Sequence, residues 1–404
     1  MKVLISGAGI GGLTAALCLA HHGIEVALFE RAETLDEIGA GIQLPPNAMK
    51  IFAALGLADA LAKHAFQPHA LEARMGQSGR RIFALPLAKK RATNKKPLWG
   101  APYLHIHRAD YIAVLQAALR RKAPDALHLG AEVSGYAQTA SAVNLRLADG
   151  RTLSGDALIA ADGLHSPLQS QMLGAQKPRF TGNMAWRATV PIEKLGDDAP
   201  PPTACVWMGK GRHCVSYLLR GGRLANFVGI VEGGAPHGEE ESWHARGAQE
   251  QALADFQNWH PTLLKLLTQA ETLYRWPLFD RAPLARWVDG RVALLGDAAH
   301  PMLPFMAQGA AMAVEDAWVV AHELAQELAG AQNSASALMA YQKKRHQRAS
   351  RVQALSRANA PIFHRRSLIG QIGTYGPMWL AGKYAPALIR KRQDWLYGHD
   401  VTQI

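Results

Sequence analysis

The sequence predicts an α/β fold with a second, sheet-rich region inserted into it, and three observations predict this. A glycine-rich turn, Gly7-Ala8-Gly9-Ile10-Gly11-Gly12, joins a short apolar strand at 2–6 to an Ala- and Leu-rich helix at 11–22, and a second apolar strand follows at 25–30. Two later apolar strands, 157–161 and 291–295, each end at a carboxylate, in Asp162-Gly163 and Gly296-Asp297. Between those strands, residues from about 180 to 230 are rich in strand formers and glycine turns. The βαβ unit is Rossmann-like, and its parts lie at the beginning, middle and end of the chain.

Taken in order, residues 48–63 read as a helix and 71–85 as strands, followed by a basic loop at 89–96. His107-Arg108-Ala109-Asp110 leads into a helix that runs to 121, after which 127–133 and 142–147 read as strands around the Ala148-Asp149-Gly150-Arg151 turn. Segments 186–191, 204–208, 213–219 and 224–231 are the strands of the insert. A Gly-, Pro- and Glu-rich loop at 234–241 precedes a helix at 248–258, and further helices are expected at 310–328 and 335–357. The expected division is a discontinuous nucleotide-binding domain (1–70, 102–175 and 285–360), a sheet domain roofing a second ligand (71–101 and 176–284), and a helical tail (361–404).

The chain's 404 residues are 49% apolar and 19% charged, ample for a large core and without charge blocks that predict extended disorder. A formal charge of +12 favours anionic partners, but no zinc-finger spacing or aromatic-basic module points to nucleic acid. Three cysteines, Cys18, Cys205 and Cys214, lack CxxC spacing, which argues against a disulfide framework or structural zinc and for a reducing cytoplasm. No metal site is expected. The apolar start resembles a secretory signal in composition, but its glycine spacing favours a folded βαβ unit. No uninterrupted apolar run of about 18 residues predicts a membrane span.

In the first motif, glycines allow a tight turn and close approach of a pyrophosphate to the helix N-terminus. Glu30, 23 residues after Gly7, is placed to accept ribose hydroxyls, so a dinucleotide is expected, with FAD and NAD both open on this motif alone. Asp162-Gly163 by itself reads equally as a strand-to-turn boundary. After Asp297, Pro301 and Pro304 stiffen a loop leading to a helix at Gly309-Ala310, and amides there would favour a negatively charged group.

Together these motifs resemble the single-component flavoprotein aromatic hydroxylases, the p-hydroxybenzoate and salicylate hydroxylase type. The resemblance runs from Gly7 to Asp394-Trp395-Leu396-Tyr397-Gly398. It is most specific in 296–317, in His107-Arg108 and in 276–287, and is nearest the salicylate, 3-hydroxybenzoate and 6-hydroxynicotinate branch. It implies FAD as cofactor, with Gly7, Gly9 and Gly12 at the pyrophosphate, Glu30 at the ribose, and Arg31 and Val133 at the adenosine end. Arg108 would reach the phosphate or ribityl region, Gly296-Asp297 the ribityl chain, Gly309 and Ala310 the flavin edge, and Asp162-Gly163 both FAD and the nicotinamide donor. Gln169 stands where many relatives carry Arg.

The implied reaction reduces FAD with NADH or NADPH, forms a flavin C4a-hydroperoxide with O2, and hydroxylates an electron-rich phenolic or N-heteroaromatic acid. His213 and Tyr217, four apart on a strand, share a face. The resemblance makes His213 the base and Tyr217 a substrate partner, with Gln308 beside flavin and substrate. Gln43 (His in the 6-hydroxynicotinate enzymes), His105, Pro301 and Pro304 would line the pocket, and His300 reads as structural as readily as chemical. A homodimer is the family-level expectation. Two other readings stay open: a hydroxylase or epoxidase of a lipophilic quinone or isoprenoid precursor, its basic tail (365–392) in peripheral contact with a membrane, and a non-catalytic flavin-binding regulator.

Overall fold

The computed structural model describes residues 1–35, 41–88, 96–175, 177–233, 245–328, 330 and 333–404. Strands Lys2–Ser6, Glu25–Phe29, Ala157–Ala160, Val292–Leu294 and Leu127–His128 form a parallel sheet, closed at one edge by the antiparallel pair with Val288–Asp289. Its strands are apolar along their length, with Leu4, Ile5, Leu158, Ile159 and Val292 fully buried, as a sheet covered on both faces requires. Helices Ile10–His21 and Gly309–Leu328 pack together against it. A three-stranded sheet, Val133–Gln138, Val143–Leu147 and Thr152–Gly155, closes over Leu4, where the bare Cα of Gly155 makes room.

Register aligns the strand ends. Ser6 lies opposite both Phe29 and Ala160, and Ala160 opposite Leu294. The three sequence motifs therefore leave the sheet at one carboxyl edge, flanking the first strand where the connections diverge, which is where open α/β sheets bind ligands.

The second large sheet has seven strands in the order Tyr274–Asp280, Arg179–Pro191, Leu224–Glu232, Arg212–Leu219, Ala204–Gly209, Ala70–Met75 and Arg81–Pro86. One face buries Trp186, Cys205, Trp207, Cys214 and Phe227 against Phe256, Trp259 and Leu263 around the helices Gln249–Asp255 and Pro261–Gln269. Strand alternation then turns Arg187, His213, Val215, Tyr217, Asn226, Val228 and Ile230 to the opposite face. A further small sheet, Gly41–Leu44, Leu104–His107 and Ala65–Phe66, packs under that face and was not predicted.

Several boundaries depart from the sequence reading. The expected helix at 48–63 is two helices, Pro46–Ala54 and Ala58–His64, because Gly56 takes a left-handed φ of 72° between them. The strand at 127–133 divides into Leu127–His128 and the start of Val133–Gln138. The helix expected to end at 357 runs from Ser334 to Phe363 despite Pro361: Ser356 and Asn359 before it bond to the carbonyls of Leu303 and Phe305, and Phe363 beyond it packs against the cluster that holds those two side chains. The basic loop at 89–96, apart from Lys96, and the loop at 234–241 lie outside the described residues.

The tail forms helices Leu368–Tyr384 and Pro386–Tyr397. It docks through Tyr397 on Trp99 and a hydrogen bond from Trp99 Nε1 to Asp394 (2.7 Å), while Leu368, Ile369, Ile372 and Leu388 are exposed. No helix among the described residues is long and apolar enough to cross a membrane. Cys18, Cys205 and Cys214 are free and buried.

Candidate active site

The glycine turn is shaped by close packing. A Cβ on Gly7 (φ 95°) would lie 2.5 Å from the Ala161 carbonyl oxygen, and one on Gly12 would lie 1.8 Å from the Gly7 carbonyl oxygen. At Gly9 a Cβ would meet nothing within 4 Å. Two of the glycines thus serve the protein's own packing, and the third faces open space at the N-cap of Ile10–His21, whose first amides have no side-chain cap. Glu30 accepts from the backbone amides of Ala8 (2.8 Å) and Ala32 (3.0 Å), tying the turn to the second strand. Ala131 N bonds the Glu30 carbonyl, which brings the start of the Val133 strand beside Glu30 and the exposed Arg31.

The Asp162 and Asp297 loops meet this turn. Gln169 donates from Nε2 to the Ala298 carbonyl (2.8 Å) while its own amide bonds the Ser166 hydroxyl, so it bridges the two loops. Asp162 Oδ1 is buried without a hydrogen bond among the described residues, and burial pushes the carboxyl up to about 6. Asp297 is accessible to solvent although protein surrounds it deeply enough to raise its carboxyl; the neighbouring His300, Arg108 and Arg281 counter the shift. A polar group that is accessible yet deep lines a cleft. Arg108, at the start of helix Arg108–Lys122, is brought toward Asp297, and the position of a Gly309 Cβ would be 3.9 Å from Asp297 Oδ1.

Helix Gly309–Leu328 begins after Ala307, a non-glycine residue held at φ 50°. Gln308, 1% exposed, accepts from Asn47 Nδ2 (3.2 Å), and its own Nε2 donor has no partner among the described residues. Farther along, Glu315 and Asp316 are fully buried and paired with Arg345, itself buried, through contacts of 2.5 and 2.7 Å, and Arg348 also binds Glu315. Burial opposes ionisation of Glu315, but the two guanidiniums outweigh it and pull the carboxyl down to about 2. His300 joins this network through Nε2 to Asp316, which gives it a structural role. Pro301 is buried with its carbonyl held by Gln353 Nε2 (2.7 Å), whereas Pro304 is exposed and starts the turn Pro304–Met306.

On the facing sheet, His213 and Tyr217 do share one side of Arg212–Leu219. Tyr217 packs on the His105 ring (4.6 Å between centroids) and against Gly41, whose amide donates to Asn226 Oδ1. His105 is paired in register with Gln43, which accepts from the Tyr103 hydroxyl. Burial lowers His105 to about 3, so it is neutral, and raises the Tyr217 hydroxyl far above its usual range. His213 packs on Phe305 of the turn that leads to Gln308. Burial and the neighbouring His364 push it well below the usual histidine range. The structure therefore brings Gln43, His105 and Tyr217 into one cluster and His213 beside the Phe305 turn.

Residues the sequence reading did not single out include Asn47, Arg345 and Arg187. Arg187 is a buried cation on the His213 face, stacked over Tyr274 (5.2 Å) and Trp276 (5.3 Å), and its charge is felt at Tyr217 and His107. Only the alternation of its strand, with Trp186 inward, could have marked it. Gly9's open position, the accessible but deep Asp297 and the unpartnered Gln308 donor fit an extended cofactor with phosphates, hydroxyls and a ring edge. Among the described residues no group of three or more His, Cys, Asp or Glu side chains could hold a metal.

Comparison with known proteins agrees with this geometry. Residues 1–356 match the family described as FAD binding domain. The chain is 36% identical over 403 residues to 3-hydroxybenzoate 6-hydroxylase 1 of Aquipseudomonas alcaligenes, covering 100% of this chain and 98% of that protein. It is 35% identical over 403 residues to 6-hydroxynicotinate 3-monooxygenase of Bordetella bronchiseptica, covering 99% and 95%. The crystal structure of Klebsiella pneumoniae HpxO with FAD and uric acid superposes with a TM-score of 0.82 at 28% identity, covering 98% and 96%. With the glycine turn, the two aspartate loops and the sheet roof all in place over that full length, the chain belongs to the FAD-binding family of flavin-dependent aromatic hydroxylases.

Proposed function

We propose that this enzyme hydroxylates a small phenolic or N-heteroaromatic acid held between the seven-stranded sheet and the Pro304–Met306 turn. The observation that carries this reading is the shared face of His213 and Tyr217, closed by Phe305 on one side and His105 on the other. The relatives named for 3-hydroxybenzoate and 6-hydroxynicotinate support the substrate class.

FAD would be held by Gly7, Gly9 and Gly12, by Glu30, Arg31 and Val133, by Arg108, Asp162, Gly163, Gly296 and Asp297, and by Gly309 and Ala310. Bound FAD, reduced by NADH or NADPH, supplies the activation of O2 and the electrophilic oxygen. The protein's own part is to place and charge the ring. His213, neutral in its buried site, takes the proton of the substrate hydroxyl and so raises the electron density of the ring. Tyr217 stays protonated and donates a hydrogen bond to the substrate. Arg187 contributes positive potential toward a substrate carboxylate. Gln308 offers its free amide donor at the helix start, and Phe305, Tyr103 and His105 keep water out of the pocket.

Purified enzyme is expected to be yellow, and a panel of 3-hydroxybenzoate, 6-hydroxynicotinate and salicylate should contain at least one acid that stimulates NAD(P)H oxidation with stoichiometric O2 uptake. His213→Ala should lower product formation by about 100-fold while leaving FAD content unchanged. A variant with undiminished product yield removes His213 as the base, and a panel without stimulation removes the substrate class.

A further inference from the structure

His213 is the inner end of a hydrogen-bonded chain that reaches the surface. Its Nδ1 lies 2.6 Å from Nε2 of His364, the residue that ends helix Ser334–Phe363. His364 Nδ1 lies 2.9 Å from Glu232 Oε1, and Glu232 Oε2 accepts from Arg366 Nε at 2.8 Å. Exposure rises along the chain: His213 is 2% exposed, the Glu232 side chain 27% and that of Arg366 70%.

The order of these contacts fixes the tautomers. Glu232 accepts from the Arg366 fork through Oε2 and faces His364 through Oε1, so His364 carries its proton on Nδ1 and leaves Nε2 bare. His213 must then donate from Nδ1, which leaves its own Nε2 as a lone pair. A carboxylate at the surface thus sets the buried imidazole in the form a base requires, by the logic of a Ser-His-Asp triad extended by one histidine.

We propose that His364 and Glu232 are positioning residues that act through His213, forming with it a proton relay from the substrate hydroxyl to solvent; this rests on the reading of His213 as the base. One proton enters and one leaves. The substrate O–H bond breaks as a proton bonds to His213 Nε2; the Nδ1 proton of His213 passes to His364 Nε2; the Nδ1 proton of His364 passes to Glu232 Oε1 and from there to water. Both rings end in the opposite tautomer and return to the first by the reverse exchange with solvent. The relay also answers a difficulty of the site. A lone imidazole as buried as His213 is neutral but weakly basic, whereas at His364 the Glu232 carboxylate works against the burial that lowers it, and the chain beyond leads to water.

The charged groups facing the chain are Glu232 on the strand Leu224–Glu232 and Arg366 beyond the helix end, with Lys210 and Arg212 flanking Gly211, whose amide bonds the His364 carbonyl (3.3 Å). On the His213 side the neighbours are the rings of Phe305 and Phe363.

The test uses FAD-loaded enzyme with whichever of 3-hydroxybenzoate and 6-hydroxynicotinate turns over. Glu232→Gln keeps an acceptor for His364 but removes the charge, and His364→Gln keeps an acceptor for His213 but cannot pass a proton. Each should leave FAD content, thermal midpoint and KM near wild type while kcat for product falls about tenfold. In Glu232→Gln the acid limb of the kcat profile should move to lower pH, because the carboxylate that favoured the protonated relay is gone. A second readout needs no turnover: difference absorbance of bound substrate should show its hydroxyl ionising at higher pH in both variants. In a His213→Gln background the Glu232→Gln change should have no further effect. A wild-type kcat and pH profile for Glu232→Gln, alongside a slow His213→Gln, overturns the relay and leaves the base. A full Glu232→Gln effect in the His213→Gln background also overturns it, as does loss of FAD or of fold in both relay variants. Wild-type turnover in His213→Gln overturns the base reading itself.

Discussion

Asp162→Asn should make the flavin-free enzyme more stable at neutral pH. Oδ1 of Asp162 is buried without a hydrogen bond among the described residues, and burial raises its carboxyl from 3.8 to about 6. A raised carboxyl means that the unfolded chain releases its proton first, so stability is lost as pH rises from 3.8 through 6 and stays lost above. The difference corresponds to about 3 kcal/mol at pH 8, and solvent contact of the half-buried side chain reduces this to roughly 1–3 kcal/mol. Asparagine fills the same volume and carries no charge. Urea unfolding of flavin-free wild type and variant at pH 8 and pH 4 should therefore show a gap at the first pH that nearly closes at the second. Adding FAD should shrink or reverse the gap at pH 8, because a bound polyol or ribose offers the wild-type carboxylate the donors it lacks. A variant no more stable than wild type at pH 8, or a gap that does not depend on pH, would refute the assignment of Asp162 as a carboxylate with one oxygen kept open for a ligand.

The glycine turn separates ligand effects from fold effects. Gly9→Ala should leave thermal stability of the flavin-free protein within about 0.5 kcal/mol, since its Cβ meets nothing within 4 Å, yet weaken FAD at least tenfold by fluorescence titration; unchanged FAD affinity would mean that Gly9 does not face the cofactor. Gly12→Ala, whose Cβ would fall 1.8 Å from the Gly7 carbonyl, should instead lower the yield of folded protein, and a normally stable variant would contradict the packing. Arg345→Met should cost about 3–5 kcal/mol at pH 7 by stranding two buried carboxylates. In the wild type the same pairing, which holds Glu315 at about 2 against an ordinary 4.5, should contribute stability that is complete above pH 4.5 and lost as pH falls toward 2. Calorimetry across that window checks both, and a variant with wild-type stability at pH 7 would dismiss the network as a stabilising element.

Features carried by local chemistry were legible in the sequence. The Gly7 turn, the two strands ending in Asp162 and Asp297, and the even spacing of His213 and Tyr217 each follow from short-range patterns, and the sheet register places them as expected. What was not legible depends on distant partners. Gly41–Leu44 is a strand because Leu104–His107 pairs with it, and nothing in Gly-Ile-Gln-Leu announces that. The helix Ser334–Phe363 outlasts Pro361 because contacts from Leu303 and Phe305 favour continuing it, and sequence rules place a boundary there. That one misplaced boundary hid His364, which falls beyond the expected helix end and reaches His213 only because the helix continues. Gln169 is similar in kind: the sequence marks it only as a departure from the family pattern, and in the fold it is the bridge that holds the Asp162 and Asp297 loops together.

The buried ion network has a bearing on how the helix Gly309–Leu328 can serve its N-terminus. That end would favour negative charge through its free amides and dipole, an effect that fades within about one turn. Glu315 lies six residues into the helix, about 9 Å from its start, and Asp316 follows it. Two unpaired carboxylates at that distance in a poorly screened interior would oppose an anion at the helix start by as much as the dipole favours it. Arg345 and Arg348 remove this opposition by pairing with both, and His300 ties Asp316 back to the Asp297 loop. Asn47 then links Glu315 to Gln308 through its two contacts, at 2.7 and 3.2 Å, so the network that neutralises the helix also orients the glutamine at its mouth. Neutralisation and orientation are therefore one construction, and loss of Arg345 should disturb the helix start as well as the core behind it.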